Sequence, residues 1–402
     1  MNLRGVLSWL LIAGTAACGG RSLSFDADLP GTSPTGNAGR TSINLGGAGG
    51  AAASRDDGAA AAAAAAGAVS SSTTDRLISS GNQKLIDVFA GTVEVYVVLA
   101  NAIIAFDRDG KLLQRVETSL EITTAAFDGD RLAIADRDKL TIYALDLHPV
   151  SSAQTVEACA SLVLLSKHRA ICGSAHDVSH VFYTYDAWNG ALLASSSPYT
   201  YNGIPMRRVP GTDDFVTTPT ELSVPNYHLY RLLETAEVEL IAEASYRVGI
   251  SANYGFNNSP ATHLISDQGV LLKIDGEHCT AQNDSLVSDC FVEDGSLGTL
   301  AAGQRFAALD PNDFTQVYAL VDTAPNVDPS DDAPIRNFLI QSIDFPSRTV
   351  TQQTPLSLQL GKLVAFRRDE PGGRVLIGFR KGPLYHTASQ RYPGYEVRSI
   401  QF

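Results

Sequence analysis

One local pattern recurs along the chain and constrains its fold more than any other feature. Ile104-Ala105-Phe106-Asp107-Arg108-Asp109-Gly110-Lys111-Leu112-Leu113 is an apolar strand, an Asp, a turn and a second strand. Phe182-Tyr183-Thr184-Tyr185-Asp186-Ala187-Trp188-Asn189-Gly190-Ala191-Leu192-Leu193 repeats it, and Leu140-Thr141-Ile142-Tyr143-Ala144-Leu145-Asp146-Leu147-His148-Pro149 lies between. Asp107, Asp146 and Asp186 follow one another at spacings of 39 and 40. The chemistry is that of a hairpin: Asp caps the turn through its side chain, and Gly takes a positive φ where the chain must reverse. Weaker echoes occur at Leu229–Leu233, Ser266–Leu272 and Ile340–Asp344. Other short runs rich in Val, Ile, Tyr, Phe and Leu, such as Val93–Leu99, Leu132–Ala135 and Leu140–Leu145, are bounded by Gly, Asp and Asn. They read as antiparallel strands. No stretch of the body sustains a helical period, which argues against βαβ folds and helical bundles.

A period near 40 with about four strands per unit is that of a propeller blade. Residues 83–402 divide into seven such units of about 46 residues each. The strand–Asp–turn–Gly–Leu-Leu hairpins resemble those of YVTN-type, quinoprotein-like β-propellers. The resemblance implies an all-β propeller of about seven four-stranded blades; six or eight blades and tandem β-sandwiches are the alternatives. The Trp-Asp dipeptide of the best-known propeller repeat is absent.

The first residues carry a different signal. Arg4 is the only charge before residue 20, and a mostly apolar run extends from Gly5 to Ala17. It is shorter than the roughly 20 residues a spanning helix needs, and suits the apolar core of a secretory leader. Thr15-Ala16-Ala17-Cys18-Gly19 resembles a bacterial lipobox. The resemblance implies a signal peptide over 1–17, lipidation (palmitate among the acyl chains) of Cys18, and outer-membrane sorting with Gly19 after the cysteine. Cleavage after Ala17 without lipidation is the alternative. Three acyl chains exceed what stable anchoring requires. From Cys18 to Asn82 the chain is rich in Gly, Ala, Ser and Thr, with an alanine run from Ala59 to Ala66. Such composition is expected to form a disordered linker.

Beyond Cys18 the cysteines are Cys159, Cys172, Cys279 and Cys290, in two local pairs. Four cysteines allow three connectivities, and proximity favours the local one, each bond stapling neighbouring strands or a loop. Disulfides fit an oxidising compartment outside the cytoplasm. Four reduced thiols are the alternative.

Composition narrows the partners. Lys and Arg number 30 against 43 Asp and Glu, a net charge of −13. Nucleic acid and anionic surfaces require clustered positive charge, so neither is expected as a partner. Arg207-Arg208 and Arg367-Arg368 are isolated pairs. No G-x-S-x-G, Walker loop or H-E-x-x-H occurs, and no cofactor is expected. The pairs Asp107/Asp109, Asp128/Asp130 and Asp136/Asp138 lack the full spacing of a calcium loop and are expected to cap turns. His176 and His180 are expected in a polar loop, as is the acidic segment Asn326–Asp332, so no metal site is assigned. Among the aromatics, Tyr183 and Tyr185 alternate as core positions, whereas Trp188 falls in a turn and is the candidate ligand-binding residue. We expect a monomeric protein held at the bacterial outer membrane by its lipid anchor alone, on the periplasmic or the cell-surface side. Its propeller would bind an envelope or surface protein, peptide or glycan. A lactonase-like propeller hydrolase and a structural partner of an outer-membrane assembly are the alternatives.

Overall fold

The computed structural model describes residues 74–165, 168–174, 181–197, 203–209, 212–219, 226–245, 263–265, 270–274, 291–298, 304–309, 315–323, 335–359, 363–369, 373–381 and 394–402. Strand β1 is Thr74–Gly81. Blade 1 follows as β2 (Leu85–Ala90), β3 (Glu94–Leu99), β4 (Ala102–Asp107) and β5 (Leu112–Glu117). Blade 2 is β6 (Thr124–Phe127), β7 (Arg131–Ala135), β8 (Lys139–Ala144) and β9 (Pro149–Gln154). Blade 3 is β10 (Cys159–Leu165), β11 (Arg169–Ser174), β12 (Phe182–Asp186) and β13 (Leu192–Ser196). Blade 4 is β14 (Gly203–Arg208), β15 (Asp214–Pro219), β16 (Asn226–Leu232) and β17 (Val238–Ser245). Blade 5 has three described strands, β18 (His263–Ile265), β19 (Val270–Ile274) and β20 (Phe291–Ser296). Blade 6 is β21 (Gln304–Leu309), β22 (Gln316–Asp322), β23 (Ile335–Asp344) and β24 (Thr349–Gln359). The last three strands, β25 (Leu363–Asp369), β26 (Arg374–Lys381) and β27 (Gly394–Gln401), form blade 7 with β1 as its fourth strand, in the order β1-β27-β26-β25.

All strand pairs are antiparallel, so each blade is a meander. The first strand of each blade is innermost: β25, β2, β6, β10 and β14 touch in succession, as do β18, β21 and β25. The middle strands lie between two neighbouring blades and bury both faces. Along β3, Val95, Val97 and Leu99 pack against Ala365 and Leu376 of blade 7. The intervening Tyr96 and Val98 pack against Leu132 and Ile134 of blade 2. The alternation continues round the ring. In β7, Ala133 and Ala135 join Leu162 and Cys172 of blade 3. In β11, Ile171 joins Met206 and Phe215 of blade 4. Burial on both faces explains why these strands read as unbroken apolar runs rather than alternating ones. Outer strands have one neighbour only; five of the six residues of β5 are exposed.

The ring closes through partners far apart in sequence. Residues 74–81, placed in the linker by composition, form the outer strand of blade 7, paired from Thr74 with Gln401 to Gly81 with Tyr395. The linker boundary expected at Asn82 therefore lies earlier. Only Ile78 and Ser79 of β1 are buried, and the Ser79 hydroxyl shares a 2.8 Å hydrogen bond with the Tyr395 phenol. Blade 7 grips blade 1 with arginines. Arg367 Nη1 donates to the Val88 carbonyl at 2.7 Å, its Nη2 meets both Asp87 oxygens at 2.9–3.0 Å, and its guanidinium lies 4.5 Å from the Phe89 ring centre. Arg374 donates to the Arg108 carbonyl and Arg380 to the Leu85 carbonyl.

Candidate functional site

The topology gives the ring two unlike faces. The turns leaving the inner strands and those joining the third strands to the outer strands lie on one face. Thr74 lies there too, opposite Gln401, and we call this face proximal. The remaining connections lie on the other, distal face.

The proximal hairpins that join third to outer strands in blades 1 to 4 are built alike. Asp107 N–H donates to Lys111 O, and Gly110 N–H returns to Asp107 O. The same pair of bonds joins Ala144 with His148 and Leu147, Leu233 with Glu237 and Ala236, and, one residue longer, Asp186 with Ala191 and Gly190. The reversing residue has positive φ in each: Gly110 at 79°, Leu147 at 53°, Ala236 at 68° and Gly190 at 74°. Asp107, Ala144, Asp186 and Leu233 are thus equivalent, and Asp146 stands two residues past its expected place. The Ser266–Leu272 echo also belongs to a different connection, the one between β18 and β19.

The aspartates cap as the pattern requires. Asp107 Oδ1 accepts from Asp109 and Lys111 N–H at 2.8–2.9 Å, Asp128 Oδ1 from Asp130 and Arg131 at 2.7–3.0 Å, and Asp136 Oδ1 from Asp138 and Lys139 at 2.8–2.9 Å. Among the described residues no group of three or more His, Cys, Asp or Glu side chains is placed to hold a metal.

Trp188 rides on a heavily braced member of this set, the Asp186–Ala191 turn. Asp186 Oδ1 accepts from Trp188 N–H at 2.8 Å, and Asp186 Oδ2 pairs with Arg169 at 3.1 Å. Ala187 N–H donates to His168 O, and Ser151 Oγ donates to Ala187 O at 2.6 Å. Gly190 is pressed against blade 2: a Cβ there would sit 2.3 Å from Ser152 O. The indole is nonetheless 54% exposed, its ring edge-on to His168 with centres 4.7 Å apart. His168 has a φ of 60°, a conformation side chains other than glycine seldom adopt. A large apolar ring left half in water on a fixed turn is a surface made for contact. Sequence reasoning singled out Trp188 but missed His168, whose approach depends on the turn of a different hairpin.

The other candidates separate. Tyr183 and Tyr185 are buried between blades 2 and 3. Burial pushes both phenols above their usual pKa, and Glu157 adds to this for Tyr183. Tyr96 is raised by burial, then by Glu94 beside it, and donates to Leu145 O at 2.8 Å. Cys159 and Cys172 form a disulfide between β10 and β11, inside blade 3. Cys18, Cys279, Cys290, His176, His180 and 326–332 lie outside the described residues. Arg367, of the isolated pair Arg367-Arg368, is buried in the closing junction.

No family model matches the sequence, and no curated protein matches it. Solved structures do match. The β-propeller domain of Myceliophteria thermophila Cps50 (Swd1) aligns over 81% of this chain and 99% of its own, with a TM-score of 0.51 and 9% identity. The WD40 domain of Neurospora crassa Pan2 aligns over 81% and 95%, with a TM-score of 0.50 and 8% identity. At such identities the likeness concerns the fold alone. The chain folds as a β-propeller of four-stranded blades, seven sheets being present among the described residues.

Proposed function

We propose that the chain is an envelope lipoprotein, anchored at the bacterial outer membrane through Cys18, whose propeller serves as a binding or scaffold domain for a protein, peptide or glycan. Propellers commonly serve as binding platforms, although a fold alone does not assign a partner. The observation that carries the reading is Trp188: a half-exposed indole on a turn held by Asp186, His168 and Ser151. A braced turn loses little freedom on binding, and a half-exposed indole supplies much contact area. The anchor rests on the sequence around Cys18. Two measurements test the reading. Intact mass of the membrane-extracted protein is expected to match a chain starting at Cys18 with acyl groups; an unacylated mass refutes the anchor. Trp188 emission is then titrated with envelope glycan and peptide fractions. A saturable shift is expected, with calorimetric binding of the same fraction weakened about tenfold or more in Trp188→Ala; no shift with any fraction, or unchanged calorimetric affinity in Trp188→Ala, refutes the site.

A further inference from the structure

Four of the large apolar side chains that face water gather at one place on the ring. Leu77 of β1 is 51% exposed, Val93 60%, Leu112 55% and Leu113 51%. They belong to blade 7's outer strand and to two stretches of blade 1, the β2–β3 turn and β5, and contacts through the β4–β5 turn join these stretches into one surface. Arg76, beside Leu77, pairs with Asp109 in the β4–β5 turn. Gly110 of that turn lies so close to β1 that a Cβ would meet Leu77 O at 3.3 Å. Arg108 of the same turn reaches across to the carbonyls of Gly91 and Thr92, immediately before Val93. Of the surrounding acids, Asp75 pairs with Arg398, Asp109 with Arg76 and Glu117 with Arg115, while Glu94 beside Val93 and Asp107 in the turn lie opposite each other on β3 and β4. Lys111 stands exposed beside Leu112. In a chain of net charge −13 this rim is apolar and close to neutral. It also lies where residues 1–73 join the propeller, Thr74 being three positions before Leu77.

We infer that this rim, Leu77, Val93, Leu112 and Leu113 with Lys111, is where the propeller body rests on a phospholipid surface. The inference rests on the reading of a membrane-held chain, because the segment that carries the anchor enters the propeller at Thr74, beside this rim. Leucine side chains then enter the headgroup boundary, and Lys111 meets lipid phosphate. Trp188, on blade 3, stays clear of the lipid and free for its own ligand.

The test supplies attachment artificially, so that it does not depend on lipidation. The chain from residue 18, carrying Cys18→Ser and an N-terminal hexahistidine, is held on vesicles of phosphatidylcholine, phosphatidylglycerol and a nickel-chelating lipid. Trp188 is its only tryptophan. A second version carries Leu112→Trp with Trp188→Phe. When brominated phosphatidylcholine replaces the plain lipid, emission from the Leu112→Trp chain is expected to fall about twofold, the response of a ring some 5–10 Å into the boundary. Emission from Trp188 is expected to hold steady. No quenching of the Leu112→Trp chain overturns the inference, as does quenching of both. Amide exchange in the chain with native Leu112 provides an independent reading. Residues 107–116 are expected to slow on vesicles, and unchanged exchange there is also contrary. Concentration-dependent dimers lost on Leu112→Ser would assign the rim to a second copy and overturn the lipid reading. Quenching on vesicles combined with an unacylated native mass would keep the rim and dismiss the Cys18 anchor.

Discussion

Removal of the Arg367 guanidinium is expected to loosen ring closure more than any surface change. The side chain is 5% exposed and joins blade 7 to blade 1 through Asp87, Val88 O and the Phe89 ring. Arg367→Leu fills much of the same space but leaves Asp87 buried with, among the described residues, only the Val88 N–H at 2.7 Å as donor. Stranding one partner of a buried ion pair costs about 3–5 kcal/mol. For a domain of this size that lowers the melting point by about 5–15 °C. Asp87→Leu alone strands the arginine at a similar cost. The double variant removes both charges, and replacing a buried pair with apolar groups is often near neutral. The double change is therefore expected to cost less than the sum of the singles, with a coupling of about 2–3 kcal/mol. Calorimetry on the four proteins measures this cycle. A single variant within about 1 kcal/mol of the native chain, or strict additivity, would refute the claim that this pair clasps the ring.

Other consequences are equally direct. Gly190→Ala is expected to cost about 2 kcal/mol or more, since it adds a clash with Ser152 O to a φ of 74°. Gly129→Ala, at φ 102° with open space around it, should cost only about 1 kcal/mol in chemical denaturation. Asp186→Ala removes the cap on Trp188 N–H and the Arg169 pair, so a loss of about 1–2 kcal/mol is expected, accompanied by a change in Trp188 emission. Tyr96→Phe should cost about 1–2 kcal/mol by leaving Leu145 O without its donor. Because burial raises the phenols of Tyr96, Tyr143 and Tyr185, the unfolded chain loses those protons first. Their contribution is complete below pH 10 and is lost as pH climbs from there toward the raised values. A melting point that stays flat from pH 9 through pH 11 would contradict this.

The hairpins were legible because their chemistry is local. An Asp that caps its own turn and a residue of positive φ three or four places on form the same structure wherever they occur, as at Asp107–Gly110 and Asp186–Gly190. The apolar strands were legible because a strand between two blades must be apolar on both faces, as Val95 to Leu99 are. Trp188 stood out because a large ring in a capped turn has no strand position from which to be buried. Local pattern could not place β1. Thr74–Gly81 is polar, buries only Ile78 and Ser79, and becomes a strand because β27 offers an open edge more than 300 residues away. Nor could it place Arg367, whose partner Asp87 lies at the other end of the propeller. The register of the repeat was likewise a tertiary matter. Ala144, with no capping side chain, holds the position that Asp107 and Asp186 hold, because backbone hydrogen bonds rather than residue identity define it. Composition, turn chemistry and period thus determined strands, hairpins and an approximate blade length, all of which depend on neighbours in sequence. Closure of the ring, the braced exposure of Trp188 against His168 and the apolar rim beside Thr74 were decided by contacts between blades, where residues distant along the chain meet.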